Sequence, residues 1–508
     1  MAGFIILLGL VAIASGISYA LFVVLYQYTY WKRRKMLHVE STPIIGNNAP
    51  IVYQTESFAT HSQNLYKNCP GARYYGMFDF TKPAIVVKDP ELIREIGVKS
   101  FEDFTDHSVF VDEKMDPYVG RNLFSLKGDR WKEVRKTVSP SFTTAKLKSL
   151  FDLIAECSKD FVQYFVDHPE VARSFEAKDA FTRYATDVIG TSAFGVKVNS
   201  MKDRDNGLFV SGQLATKFTF QSLVKTELLR NFPHLMRHLG ATFLPRTADA
   251  FFKKLISDTL RLRRETGLSR PDMVQLMMQA IENGEDVCED DIVGQAFFFI
   301  LAGFDTTASN MCFIVHELAA NPDIQDKLRD EIDGWLHANN QNELTYEGLS
   351  ELRYLDMVVS ESLRKYPTAP FTNRVCVREH VLPPPAPGYP KCHVEKGTVI
   401  MIPIMGLHLD PQYFPDPQRF DPERFSEENK SNIKPYAYLP FGIGPRMCIG
   451  NRFALLETKI IMVDILRNFV IKFTNKSQHP LTFGKKGFST TAEHGFWIAF
   501  ERREDTSL

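Results

Sequence analysis

The apolar positions of this chain change their period several times. No charged residue occurs between Phe4 and Tyr26. As a helix, that run is about 34 Å long, enough to cross a hydrocarbon layer. Tyrosines and Trp31 mark its end, and Lys32, Arg33, Arg34 and Lys35 follow at once. Aromatic rings suit the headgroup region and basic flanks stay on the cytoplasmic side, so the pattern predicts an anchor whose body faces the cytosol. A cleaved leader is the competing reading, helped by Ala12-Ile-Ala14. Against it, no positive residue precedes the apolar run, which continues well past that site.

Behind the anchor, Ala72 to Phe80 and Ala84 to Val87 are rich in Tyr, Phe, Val and Ile, which predicts a hairpin around Lys82-Pro83. From about 140 to 335 apolar residues recur at three and four spacing, which predicts helices. Within this stretch, Leu228 to Phe243 mixes apolar and basic residues, as a segment resting on a membrane does. Strand-like runs return at Thr398-Val-Ile-Met-Ile402 and near the C-terminus. The prolines from 383 to 390 mark a rigid turn within the domain. The expectation is a mainly α chain with a smaller β portion: an anchor over 1–30, a basic linker over 31–50 and one domain over 51–508.

The stretch from Asp290 to Ala320 leaves two readings open. Phe297-Phe-Phe-Ile-Leu is followed by Ala302-Gly-Phe-Asp305-Thr306-Thr307, a set of poor helix-interior residues. Gly303 could end one helix and Asp305 cap the next, although position 308 holds Ala where a capping box wants Glu or Gln. Alternatively one helix runs through, with a polar notch facing a cavity and a hydroxyl bonded back to the backbone.

Composition narrows the function. A net charge of −1 argues against nucleic acid as a partner. Seven cysteines are scattered without a CxxC pair, so neither a zinc site nor a disulfide framework is indicated. Forty Phe imply an apolar interior, or a cavity lined with rings.

The densest chemistry lies in Phe441-Gly-Ile-Gly-Pro-Arg446-Met-Cys448-Ile-Gly450. Glycines such as Gly442 and Gly450 let a backbone approach a flat partner. A helix start favours a thiolate, and Arg446 adds a positive charge. Together these suit an iron porphyrin with acidic edge groups. Trp131 and Arg135 stand one helical turn apart, and Glu361 and Arg364 form an i, i+3 pair before Pro367.

These strings resemble the cytochrome P-450 family, whose Phe-x-x-Gly-x-Arg-x-Cys-x-Gly loop is matched at every fixed position. Ala302-Gly-Phe-Asp-Thr-Thr307 is similar to the family's oxygen-binding groove. Finer strings, among them Trp131-Lys-Glu-Val-Arg135 and Met357-Val-Val-Ser-Glu-Ser-Leu-Arg364, resemble the insect microsomal family 9, in the group that holds vertebrate family 3. The resemblance implies the P-450 fold and haem b ligated by the Cys448 thiolate. Phe441, Gly442, Gly450 and Ala302 would lie against the haem, with Trp131, Arg135, Arg374 and Arg446 at its propionates. It implies Thr306 and Asp305 as the pair that handles protons, and a structural lock of Glu361, Arg364 and Arg424 from Pro422-Glu-Arg-Phe425. It also implies electrons from NADPH through the flavin reductase of the endoplasmic reticulum membrane, with cytochrome b5 as a further donor. Lys132, Lys136, Lys434 and Arg452 are docking cations or simply a solvated face.

Substrates are expected to be lipophilic foreign compounds, with a biosynthetic step on an endogenous lipid as the alternative. A reductase-free peroxide rearrangement and a haem sensor without turnover are the readings from other classes. Phe104, Phe110, Tyr118, Phe297, Phe298, Phe371 and Phe488 are the candidate substrate rings, of which about half are expected to fill the core instead. Two positions depart from the family pattern. The proline-rich hinge after the anchor is reduced to Pro43 and Pro50, and Met447 stands where many relatives have Asn, so that its backbone should serve the sulfur.

Overall fold

The computed structural model describes residues 2–503 except 110, 112, 114, 115, 117, 217–219, 271, 342 and 488. Its strands are β1 (Tyr74–Asp79), β2 (Lys82–Val87), β3 (Phe175–Glu176), β4 (Thr372–Val375), β5 (His380–Leu382), β6 (Cys392–Val394), β7 (Val399–Ile402), β8 (Phe469–Phe473) and β9 (Trp497–Arg502). They form a four-stranded sheet in the order β1-β2-β7-β4, a three-stranded sheet β3-β9-β8, and the hairpin β5-β6. Only the β2–β7 pair is parallel in the larger sheet. The predicted hairpin forms, but its turn, Phe80-Thr81, sits two residues earlier than expected. Pro83 is paired with Phe78 inside the ladder, and Phe80 takes the left-handed conformation at φ +53°. The proline-rich stretch joins β5 to β6, as a turn within the domain.

Helices make up most of the remainder. The longest in the domain runs from Glu289 to Ala320 without a break, so the one-helix reading holds. Gly303 does not act as a stop because its bare side is occupied: a Cβ there would come within 2.8 Å of Ile189 Cδ1. This helix is long and apolar enough to cross a membrane, yet 61% of its apolar window is buried in the protein. It is a core helix. Ala308, Met311, Cys312 and Val315 on it pack with Phe181 and Tyr184 of the Ala177–Ile189 helix and with Ile461 and Ile465 of the Asn451–Asn468 helix.

A second long apolar helix, Ala2–Arg33, stands at the N-terminus. Its Gly9–Arg33 stretch passes the same length test with 6% of the apolar window buried, as a membrane span requires. Residues 36–47 do not hang free behind it. Gly76 of β1 donates to the Leu37 carbonyl at 2.8 Å, and Val39 and Asn47 donate to Gly76 and Phe78 at 3.0 and 2.8 Å.

Candidate active site

The Cys448 loop and the middle of the Glu289–Ala320 helix both line one cavity of about 460 Å³. The loop depends on two glycines at positive φ, +80° at Gly442 and +65° at Gly444, a region that side chains rarely enter. A Cβ on Gly444 would stand 1.9 Å from the Gly97 carbonyl oxygen, whereas one on Gly442 would meet nothing within 4 Å. Packing therefore demands the first glycine, and the second bares the backbone along the cavity. The Cys448 amide donates to the Phe441 carbonyl at 2.9 Å, and Met447 donates to Gly444 at 2.9 Å. The Asn451–Asn468 helix begins directly behind Gly450. Cys448 is exposed to the cavity, yet desolvation by the surrounding protein pushes its thiol up and outweighs the Gly450 amide and Arg135. A metal ion on the sulfur would remove that proton outright.

Cations crowd the edge of the loop. Trp131 is buried, and the Arg446 guanidinium lies 3.9 Å over its ring. Arg446 donates to the carbonyls of Thr105, Leu123 and Leu126 at 2.7, 3.2 and 2.9 Å. Arg135 donates to the Met447 carbonyl at 2.9 Å, and the Met447 amide is spent on Gly444, so the Met447 backbone braces the loop and the Gly450 amide, not Met447 as expected, serves the sulfur. Arg374 is fully buried but outside the cavity lining; it donates to the Ile443 carbonyl at 2.7 Å. Its Nε is buried without a partner. Among the described residues, Asp106, 3.5 Å from Arg446, is the one carboxylate paired with these three guanidiniums. Burial lowers Arg374 to about 10 and Arg446 to about 9. A buried positive excess of this kind calls for anionic partners.

Taken together, an open thiol, a glycine-bared wall and underpaired arginines fit an iron porphyrin. The sulfur would hold the iron of such a group, and the arginines would meet its edge carboxylates.

Sequence reasoning missed His107 in this cluster. Its Nδ1 lies 2.9 Å from the Asn373 carbonyl, and its ring stacks on Phe124 at 4.5 Å. Burial, then Arg374 and Arg446, hold it well below the usual imidazole range, hence neutral. Adjacency to Asp106 and Phe104 was its only signal.

On the central helix, Ala302, Gly303, Thr306 and Thr307 face the cavity. The Thr306 hydroxyl donates back to the Ala302 carbonyl at 2.6 Å, the bond expected of a notch in a continuous helix. Asp305 stands outside the cavity lining. It pairs with Lys178 at 2.8 Å, and the same ammonium reaches the Asp305 carbonyl and Ser309 at 2.7 Å. Burial pushes the Asp305 carboxyl up, but Lys178 and Ser489 outweigh it and hold it below the usual range. Beside the notch, Thr307 meets Glu457, whose carboxyl full burial pushes well above its usual range.

The predicted lock is assembled. Arg364 grips Glu361 with two parallel bonds of 2.7 and 2.8 Å, both side chains fully buried. Arg424 Nε lies 3.5 Å from the same carboxylate, and the Asp421 amide donates to it at 2.8 Å. The lock reaches the cysteine loop through His408, another residue the sequence did not reveal. Arg364 donates to the His408 carbonyl at 3.2 Å, Leu439 donates to His408 Nε2 at 2.7 Å, and Gly442 donates to the Leu439 carbonyl at 3.1 Å. Burial, then Arg364, lowers His408 to about 3, so the ring stays neutral and can accept from Leu439.

The candidate substrate rings divide. Phe298 and Phe371 line the cavity. Phe104 is core, edge-on to His380 at 5.1 Å, and Phe297 is core against Phe252 at 5.3 Å. Tyr118 lies outside the lining beneath Lys253, 3.8 Å above its ring. Phe110 and Phe488 lie outside the described residues. Phe124, Phe142 and Phe299, none of them anticipated, line the wall instead. Of the suggested docking cations, Lys132 is paired with Glu102 at 2.9 Å, while Lys136 and Arg452 are exposed and Lys434 is half-buried.

A family model described as cytochrome P450 matches residues 40–499. The chain is 43% identical to "Cytochrome P450 9e2" of Blattella germanica, over 94% of this chain and 95% of that protein. It is 36% identical to "Probable cytochrome P450 9f2" of Drosophila melanogaster, over 93% and 95%. It is 34% identical to "Cytochrome P450 6k1" of Blattella germanica, over 98% and 96%.

Proposed function

This chain belongs to the cytochrome P450 family of monooxygenases, and from that premise we propose that it oxidises lipophilic foreign compounds at the endoplasmic reticulum membrane. NADPH supplies the electrons through a flavin reductase. The observation that carries the substrate reading is the cavity itself. It joins Cys448 on one element to the Thr306 notch on another, and Phe124, Phe298, Phe299 and Phe371 contribute its rings. A large apolar wall with few directional groups binds by area and shape, so selectivity is broad.

Cys448 would hold the haem iron. Gly442, Gly450 and Phe441 would lie along one face and Ala302 along the other, with Arg135, Arg446 and Trp131 at the acidic edge and Arg374 behind them. When bound, that group supplies oxygen activation and insertion of one oxygen atom into substrate. The chain's own work is to bind and orient substrate, limit water and manage protons. Thr306 is the hydroxyl placed for the last task, since the residue lines the cavity while its proton is held on the Ala302 carbonyl. Asp305, tied to Lys178, can pass a proton to the cavity only when that pair opens. It serves first to hold the central helix against the Ala177–Ile189 helix.

Thr306→Ala is expected to keep haem binding and electron uptake while releasing more hydrogen peroxide per product, because proton supply is mistimed. Peroxide and product assayed together in the reconstituted system decide this, and equal ratios in mutant and wild type remove Thr306 from the role. The substrate reading is tested with a panel of chemically unrelated lipophilic compounds, plant toxins and insecticides among them, incubated with reductase and NADPH. Oxidation of several supports it. Efficient turnover of one endogenous lipid with none of the panel oxidised replaces detoxification by biosynthesis.

A further inference from the structure

The anchor helix does not end where the catalytic domain begins. Over its last turns Val23, Gln27, Tyr30 and Trp31 are buried, a stripe at i, i+4, i+7 and i+8. On the other side of the same turns Phe22, Leu25 and Tyr28 are 64%, 63% and 63% exposed. One face of the same turns is therefore built for protein and the other for lipid.

The protein-facing stripe is specific. Trp31, 2% exposed, donates its indole N–H to the Met77 carbonyl at 2.9 Å. Its ring seats on Gly76 of β1, where a Cβ would come within 2.6 Å of the indole. The Gln27 amide donates to the Phe80 carbonyl at 2.8 Å and accepts from the Ile44 amide at 2.7 Å. Tyr30 donates to Glu395 at 2.9 Å, and Arg34 pairs with the same carboxylate. Residues 36–47 then run along the outer edge of β1. A tether has none of these contacts. The reduction of the proline-rich hinge to Pro43 and Pro50, already visible in the sequence, suits such a joint.

The joint also touches the cavity. Phe80, whose carbonyl Gln27 holds, lines it together with Asn48, Ile51, Val52 and Asp79. Trp31 lies five residues beyond Tyr26, about 7.5 Å along the axis, and directly before Lys32 and Arg33, a place that suits the headgroup zone. Ile44 and Tyr53, on the segment that carries this part of the lining, leave 47% and 58% of their surface exposed.

We propose that Gln27, Tyr30 and Trp31 weld the membrane helix to the catalytic domain, so that the bilayer holds the arm of the cavity lined by Asn48, Val52 and Phe80 at the headgroup boundary in one fixed orientation. The proposal rests on the reading of the N-terminal helix as a membrane span.

The test uses the full-length haem-loaded protein in oriented bilayers of phosphatidylcholine and phosphatidylserine, with linear dichroism of the haem band as the readout of domain tilt. Wild type shows strong dichroism, and Trp31→Ala and Gln27→Ala lose most of it while haem content is unchanged. Thermal unfolding supplies a second arm. Gly76→Ala lowers the midpoint by several degrees in the wild-type background and far less in Trp31→Ala, because the three atoms nearest the added methyl all belong to the indole. Dichroism that survives Trp31→Ala and Gln27→Ala overturns the proposal. So do additive effects of Trp31→Ala and Gly76→Ala, and if Gly76→Ala does not fold, the dichroism of Gln27→Ala decides. Alkaline carbonate extraction of the wild type separates the two readings: release from membranes sinks the span itself, and retention leaves only the weld in question.

Discussion

Cys448→Ser removes turnover and leaves the fold standing. The loop that presents position 448 is shaped by backbone, through the Cys448 amide on the Phe441 carbonyl and the turn at Gly442 and Gly444. An isosteric hydroxyl preserves all of it. What it cannot preserve is the ligand, because a serine hydroxyl is a poor iron ligand at neutral pH. Oxygen activation in this family depends on electron density from the thiolate. With that gone, product formation falls by at least roughly 10³-fold, a barrier increase of about 4 kcal/mol. The assay is product formation with reductase and NADPH at matched protein concentration. Wild-type turnover by Cys448→Ser would falsify the assignment.

Arg364→Ala is the largest expected effect on stability. The side chain is fully buried and holds Glu361 with two bonds. Its loss leaves a carboxylate in the interior with only Arg424, 3.5 Å away, and the Asp421 amide. Breaking a buried pair on one side costs about 3–5 kcal/mol. Because the same guanidinium holds His408, which carries the Leu439 end of the cysteine loop, haem occupancy falls as well. Denaturant unfolding of the haem-loaded chain measures the first effect, and haem content per protein the second. Adding Glu361→Gln to Arg364→Ala recovers part of the stability, since it removes the stranded charge. A loss below about 1 kcal/mol, the range of exposed ion pairs, would show that the lock does not bear on the fold.

How much of this was legible depended on the range over which each feature is determined. The Cys448 loop, the Trp131–Arg135 turn and the Glu361–Arg364 pair are encoded within a few residues, so reading them needed no tertiary knowledge. Which of the candidate rings fill the core, as Phe104 and Phe297 do, was not legible because a ring in an apolar run can turn to core or cavity. Only the packing of Phe104 on His380 and of Phe297 on Phe252 decides which. Asp305 was read as a neighbour of Thr306 in sequence, but one step along a helix turns a side chain by about 100°, which takes it to Lys178. Gly303 and Asp305 left the helix ambiguous because the contact that settles it, Ile189, lies more than a hundred residues away. His408 joins two distant motifs and belongs to neither. The protein-facing stripe of the N-terminal helix was the hardest to see, because Val23 reads as one of an apolar run and Tyr30 and Trp31 read as headgroup-region rings. Gln27, an amide at the end of that run, was the one residue out of place.

The central claim is that Cys448 presents a thiolate to haem iron in this chain, and one spectrum addresses it most directly. Full-length protein is loaded with haem, reduced and exposed to carbon monoxide, and the Soret band is recorded. The account predicts the strongly red-shifted band of a thiolate-ligated haem, and its absence from Cys448→Ser. A folded, haem-loaded wild type without the red-shifted band, or one whose band persists in Cys448→Ser, would contradict it.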